Sequence, residues 1–537
     1  MGQVAFVSHQ WVGHHHPDPE FGQLHVLQKL FRAWIAKPAF ISPDFVTAAG
    51  LPHVKGIPTT ALFSMPLFLW YDFCCCPQAS GAEASQTQAI DSIPAYVSRC
   101  RFFFVLCPIV FSPDVGRVFS PSSWADRGWC RLERTIRELS MNQSYIMVKS
   151  EAFVEVVASQ VTSMGGSTGE GMFTMLGDRA RLAPVLEKTL RHTLMGYCRA
   201  HDLVRYRTVL NLQNVYLRGL PATPVTDIVP GFEPLPNAGS ASNLVASFLY
   251  QNGFTKLSSV DAVGWSPLCY ASMRGDPALI DALLAQRADP NDFIRKNNPK
   301  GGLPIWTFAV GICAFFGNNE AMSRLIQAGA KLGGAWPALP LAAFGDNAKG
   351  VQLLLEHSSP HIRNCFGSTA LHHACSAGSV ASVRQLLPHA TPQMLSGVLA
   401  DAVVGRGGST EIVQLVLQAR ADINEQWVAP SRLAAFASFA LSLPYKVGRK
   451  TPLSSTAHHM PKSSPLMICV MTGQYEGAAA LIAAGARLDL RNSRGRSVAD
   501  FARDLSVPKF LLAALEGSTQ ECQELAFVAH ANSDLEL

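Results

Sequence analysis

Four side chains in the first quarter of the chain stand where open α/β sheets do chemistry. Ser8 and His9 close a short apolar run that begins at Val4. Asp72 sits inside a second apolar run, Leu67 to Cys76, and an acid in such a run needs a partner because burying a bare carboxylate is costly. Glu133 follows Trp129 and Cys130 at a helix start, where the helix dipole favours an acid in the first turn. If the apolar runs are parallel strands, their ends and the helix start converge on the carboxyl edge of the sheet, where such folds bind ligands. A carboxylate there can stabilise a positive charge that develops on a bound molecule. Each residue also has a plainer use. Asp72 can serve a structural hydrogen bond, Glu133 a solvated first turn, and Trp129 and Cys130 the core.

Other candidate motifs carry less. His14, His15 and His16 are adjacent, so they cannot all face one metal ion on a regular element, and they read as a solvated loop. Gly165 to Gly171 resembles a phosphate loop only in its glycines, because no Gly-Lys-Ser/Thr ending follows. Cys130 lacks an evident base. The segment Ala180 to Ala200 reads as a packing helix with a solvated face.

The elements that must position these residues alternate. Val4–Ser8, Leu67–Cys76, Phe102–Cys107 and Tyr145–Val148 read as strands. Between them, Phe21, Leu24, Leu27, Phe31 and Trp34 recur at helical spacing, with Asp18 and Pro19 as a helix start. Ala89–Val97 and Trp129–Leu139 read as further helices. Alternation of this kind implies a parallel sheet with helices on both faces. Residues 151–241 read as a helical extension ending in a linker rich in Pro and Gly.

From about 242 the chain repeats itself. Ser266-Pro267-Leu268-Cys269-Tyr270-Ala271 recurs as Thr369-Ala370-Leu371-His372-His373-Ala374 and as Ser464-Pro465-Leu466-Met467-Ile468-Cys469. A weaker copy starts at Ser497. The first two copies stand about three units of ~33 residues apart. Most copies run on to a Gly and an apolar helix ending in a pair such as Leu283-Leu284 or Leu353-Leu354. This pattern resembles ankyrin repeats over 242–515, as six units plus a degenerate cap, with an insertion at about 425–462 and a tail at 516–537. The resemblance implies an all-α solenoid that binds a protein partner on its concave face and carries no chemistry of its own.

The first 150 residues resemble a divergent TIR domain. Ala5-Phe6-Val7-Ser8-His9 is similar to its first strand, Val105-Leu106-Cys107-Pro108 to a later strand, and Arg127-Gly128-Trp129-Cys130-Arg131-Leu132-Glu133 to its W-C-x-x-E helix start. The R-D-x-x-P-G loop of that family is absent. The resemblance implies a flavodoxin-like parallel sheet and TIR–TIR self-association. In enzymatic members it implies cleavage of NAD as substrate, with no cofactor required. Glu133 would then be the catalytic carboxylate, beside an NAD-binding set of Ser8, His9, Asp72 and Trp129.

Composition bounds the rest. Charged residues are 15% of 537, well below the ~25% of ordinary soluble proteins, and mean hydropathy is +0.15. A net charge of +5 without a long basic run disfavours nucleic acid as a partner. The N-terminus lacks the basic region of a signal peptide, and Phe6 stands where a myristoylation signal needs Ser or Thr. Thirteen cysteines, three of them adjacent, suit a reducing compartment such as the cytoplasm. Gly301–Asn319 is uncharged, but its Gly and Pro content and its phase in the repeats favour a solenoid helix over a membrane span. The expectation is an interaction protein whose repeats bind a partner and whose TIR-like domain assembles, or else a repeat-regulated NAD glycohydrolase.

Overall fold

The computed structural model describes residues 2–534 except 79–80, 160–165, 176, 235, 237–238 and 297–301. Gly165 of the glycine-rich loop and Gly301 of the uncharged stretch therefore lie outside the described residues. The chain forms two compact units. One comprises Met1–Ser163, Cys375–Val380 and Thr391–Leu537, and the other Met164–Ala374 and Ala381–Ala390.

In the first unit, β1 (Gln3–His9) is followed by helix α1 (Gly22–Ala36), β2 (Leu67–Tyr71), β3 (Phe102–Leu106), α2 (Gly128–Leu139), β4 (Ser144–Val148) and β5 (Val154–Ala158). The strand order is β2-β1-β3-β4-β5. Both faces of the sheet are covered, which is why β3 reads Phe-Phe-Phe-Val-Leu without a polar residue and is buried throughout. One face packs Ala5, Val7, Phe104 and Leu106 against Leu27, Leu30 and Trp34 of α1. On the other, Phe6 stacks on Trp70 at 4.5 Å and on Phe103 at 5.2 Å. Leu132 and Ile136 of α2 are buried as well.

Several details depart from the sequence reading, and the expected strand Leu67–Cys76 itself ends at Tyr71, with Asp72–Cys75 helical. Strands β1 to β4 pair in parallel, but β5 runs antiparallel to β4. The sheet is therefore mixed rather than the all-parallel flavodoxin type. The cause is the short link 149–153, closed by the Lys149 N–H to the Phe153 carbonyl at 3.1 Å. A parallel return needs a crossover of a dozen residues or more. Second, α1 starts at Gly22 rather than Pro19, although Asp18 still accepts from the Leu24 amide at 2.8 Å. Third, the expected helix Ala89–Val97 is broken at Ser92 into Glu83–Asp91 and Ile93–Arg99.

The second unit opens with α3 (Asp178–Arg199) and α4 (Leu203–Tyr216). Helix α4 is buried from Tyr206 to Leu212 and acts as a cap on the repeats of its unit. Its Arg207 guanidinium donates to the Asn252 carbonyl at 2.7 Å and pairs with buried Asp261. The Asn211 amide donates to the Asn252 side chain at 2.7 Å, and Asn214 to the Arg274 carbonyl at 2.6 Å. Gly169, before α3, serves close packing, since a Cβ there would lie 2.3 Å from the Gly219 backbone.

Antiparallel helix pairs follow in this unit: Pro267–Arg274 with Pro277–Ala285, Ala309–Phe316 with Asn319–Gln327, and Ala338–Phe344 with Ala348–Leu355. Ala309–Phe316, from the uncharged stretch, is buried along its whole length. In the first unit the same arrangement recurs in Pro465–Thr472 with Tyr475–Ala483 and in Val498–Leu505 with Lys509–Leu515. The repeated Ser-Pro works as a helix start. Ser266 and Ser464 cap the first helices, accepting from Cys269 and Met467, with Pro at the first helical position. Gly275, Gly317 and Gly473 end them at φ 78°, 72° and 65°, the left-handed region glycine enters without strain. The insertion folds as α5 (Arg432–Lys446) and α6 (Pro452–His459).

Candidate functional site

Parallel pairing of β1 with β2 puts Val7 beside Tyr71, so Ser8 and His9 lie level with the residues just past the end of β2. Ser8, His9 and Asp72 consequently meet at one edge. The His9 Nε2 lies 2.7 Å from Asp72 Oδ1, and the other carboxylate oxygen accepts from the Trp11 indole at 2.8 Å. The Phe73 amide also donates to Oδ1, at 2.6 Å. Burial alone would raise the Asp72 pKa, but the His9 bond and charge, the Trp11 indole and the Phe73 amide outweigh it and hold the carboxyl below its ordinary value. Tyr71 stacks on the His9 ring at 4.2 Å and places its hydroxyl 3.4 Å from Nδ1. The Gln10 carbonyl stands 3.3 Å from the same nitrogen.

Glu133 joins from α2. It is the sixth residue of that helix, in the second turn rather than the expected first, because the helix starts at Gly128. The dipole therefore acts on it weakly. The residue is half-buried as a whole, but its carboxyl is turned inward and bonds the Ser8 hydroxyl, which also accepts from the Trp124 indole at 3.0 Å. Burial pushes its pKa up to about 8. The Ser8 bond opposes the rise and the Asp72 charge adds to it. Cys130 is buried, and its thiol points to the His9 carbonyl at 3.8 Å rather than to the imidazole. Burial raises that thiol well above its ordinary value, so it is no activated nucleophile.

Of the five sequence-derived site residues, the structure pairs His9 with Asp72 and, separately, Ser8 with Glu133, both at the carboxyl end of the sheet. Trp129 lies half-buried in the first turn of α2. Trp11 and Tyr71 contact the His9–Asp72 pair and Trp124 donates to Ser8, and none of the three reads from the sequence as a site residue. Trp124 had a signal: Ser120-Pro121 announces its helix, and the structure shows that capping box. His16 stands apart from the cluster. Its Nδ1 accepts from the Asp18 amide at 3.0 Å, and its ring packs edge-on against Phe73 at 4.7 Å. Among the described residues no group of three or more His, Cys, Asp or Glu could hold a metal ion.

The repeats form the other candidate surface. Trp306, in the loop before helix Ala309–Phe316, is 57% exposed and held at φ 66°. A bulky residue in the left-handed region is strained, and such strain concentrates at binding sites. Arg295, Lys331 and Arg363 lie exposed on the hairpin segments of the same unit.

Comparison with known proteins bears on this surface. The family model "Ankyrin repeat" matches residues 263–295, and "Ankyrin repeats (3 copies)" matches 310–394 and 339–426. The chain thus contains ankyrin repeats. Among solved structures it is similar to the human ASB11 ankyrin repeat domain, with 19% identity over 49% of this chain and 98% of that one and a TM-score of 0.32. No curated protein matches the chain.

Proposed function

We propose that the protein is an interaction protein whose ankyrin repeats bind a protein partner on the hairpin side, while the N-terminal α/β region acts as a TIR-type assembly module. Ankyrin repeats recognise by surface, and tryptophan and arginine dominate the energetics of such contacts. The observation that carries the reading is Trp306, an exposed indole in strained backbone within the repeat region. Purification of the full-length protein from its own cells, compared with Trp306→Ala, tests it. The partner recovered with the parent chain should fall at least about tenfold with the variant. Equal recovery removes Trp306 as the anchor.

A second reading, repeat-regulated NAD glycohydrolase, draws support from Glu133 and Asp72 at the carboxyl edge of parallel strands. Nicotinamide leaves readily, and a carboxylate beside the ribose would stabilise the oxocarbenium charge. Binding of a cationic nicotinamide ring would also lower the raised pKa of Glu133 and ionise it. Incubation with NAD, read as nicotinamide release from the parent chain and from Glu133→Ala, tests this. Release abolished by the substitution supports the enzyme. Absence of release at high protein concentration leaves the assembly role.

A further inference from the structure

Helix α5 turns most of its bulky apolar residues to water. Its inner face holds Ala434, Ala437, Ser438, Leu441 and Tyr445, half-buried, and buried Ser442. Leu433, Phe436, Phe439, Leu443 and Val447 recur at spacings of three and four, which places them on one stripe. Phe436 is 67% exposed, Phe439 53% and Val447 75%. A folded chain gains nothing by showing water two phenylalanines in line, so the stripe marks a contact surface.

The charge around it names the partner. Between Glu425 and Glu476 the chain has no carboxylate, and it carries Arg432, Lys446, Arg449, Lys450 and Lys462. Arg432, Lys446, Arg449 and Lys450 are exposed and sit at or just beyond the two ends of the helix. The Lys446 ammonium lies 4.7 Å from the Phe439 ring, at the edge of the stripe, with its stem along the apolar surface. The helix has 15 residues. That is about 22 Å, too short to span a bilayer core of ~30 Å but long enough to lie in its surface. No helix among the described residues is long and apolar enough to cross a membrane. An apolar stripe ending in cations is the arrangement that inserts shallowly between lipid headgroups while its Lys and Arg meet lipid phosphates.

We infer that α5 is a membrane-docking helix that seats the protein on an anionic lipid surface. Rings at 436 and 439 enter the acyl boundary, and cations at 432, 446, 449 and 450 pair with the headgroups.

Flotation of the full-length protein with phosphatidylcholine vesicles, with and without phosphatidylserine, tests this. Binding to the anionic vesicles should exceed that to neutral ones by at least about tenfold and weaken with salt. Phe436→Ser with Phe439→Ser should cut binding roughly tenfold or more, at a little-changed melting curve because both residues are more than half exposed. Arg449→Gln with Lys450→Gln should cut binding to anionic vesicles by roughly tenfold and leave the neutral vesicles unaffected. Failure of the parent chain to float, or equal flotation of the phenylalanine variant, overturns the inference. So does concentration-dependent self-association that the phenylalanine variant abolishes while vesicles stay unbound, since the stripe would then belong to a second copy of the chain.

Discussion

Asp72 is the residue on which the cluster at the sheet edge turns. Its carboxylate takes the His9 ring, the Trp11 indole and the Phe73 amide at once. Asp72→Ala leaves those donors unsatisfied and should lower stability by about 2–3 kcal/mol, measurable by urea denaturation. Glu133 gives a pH signature of opposite kind. Its pKa rises from an ordinary 4.5 to about 8 in the fold, so the native state holds the proton more tightly than the unfolded chain. Its stabilising contribution is complete below pH ~4.5 and is lost as pH rises through ~8. The melting temperature of the parent chain should therefore fall relative to Glu133→Gln across that window, and parallel curves would refute the burial. The apolar runs alone pointed to Ser8, His9 and Asp72, because a polar residue ending or interrupting a buried strand is conspicuous. Trp11 and Trp124 were not legible, since an aromatic residue reads as core until its ring nitrogen is seen to have an acceptor.

At the scale of elements, the repeats are held by side chains that close the ends of neighbouring helices. Asn318 donates to the Ser272 carbonyl at 2.8 Å and to Met273 at 3.0 Å, and Asn347 donates to Ala314 at 2.9 Å. Gln474 does the same for Gly405 at 2.8 Å. These carbonyls belong to last turns, which lack partners within their own helix. Asn318→Leu should cost about 1–3 kcal/mol in thermal or urea unfolding, more than an exposed asparagine replaced elsewhere. Gly473→Ala should also destabilise. A Cβ there would lie 2.6 Å from the Phe153 ring, and the residue holds φ 65°. A melting curve matching the parent would contradict that packing. The helix starts were readable because Ser-Pro and Thr carry their capping chemistry locally. The asparagine bridges were not, because each joins residues about 30 to 45 apart in the chain, and period alone does not tell which carbonyls they reach. The direction of β5 was equally hidden, as it depends on the brevity of one loop.

On the scale of the whole molecule, the α/β region and the last repeats share a unit, which no boundary near residue 150 would suggest. The Lys149 ammonium pairs with Glu155 at 2.6 Å, both nearly buried, and donates to the Thr472 carbonyl at 3.2 Å. Phe153 meets the Tyr475 ring edge-on at 5.9 Å. Lys149→Met would strand the Glu155 carboxylate and should cost about 3–5 kcal/mol in unfolding experiments. The low charge fraction finds its place in strands covered on both faces and helices such as Ala309–Phe316 that are wholly buried. Some of it, on α5, faces water. Recognition of a protein partner through the repeats is the proposed role of the molecule. The most direct measurement is quantitative purification of the full-length protein with Trp306→Ala and with Arg363→Glu, each checked for an unchanged melting curve. One protein that binds the parent chain and is lost at least about tenfold from both variants is the predicted result. Partner recovery indifferent to both changes would contradict it.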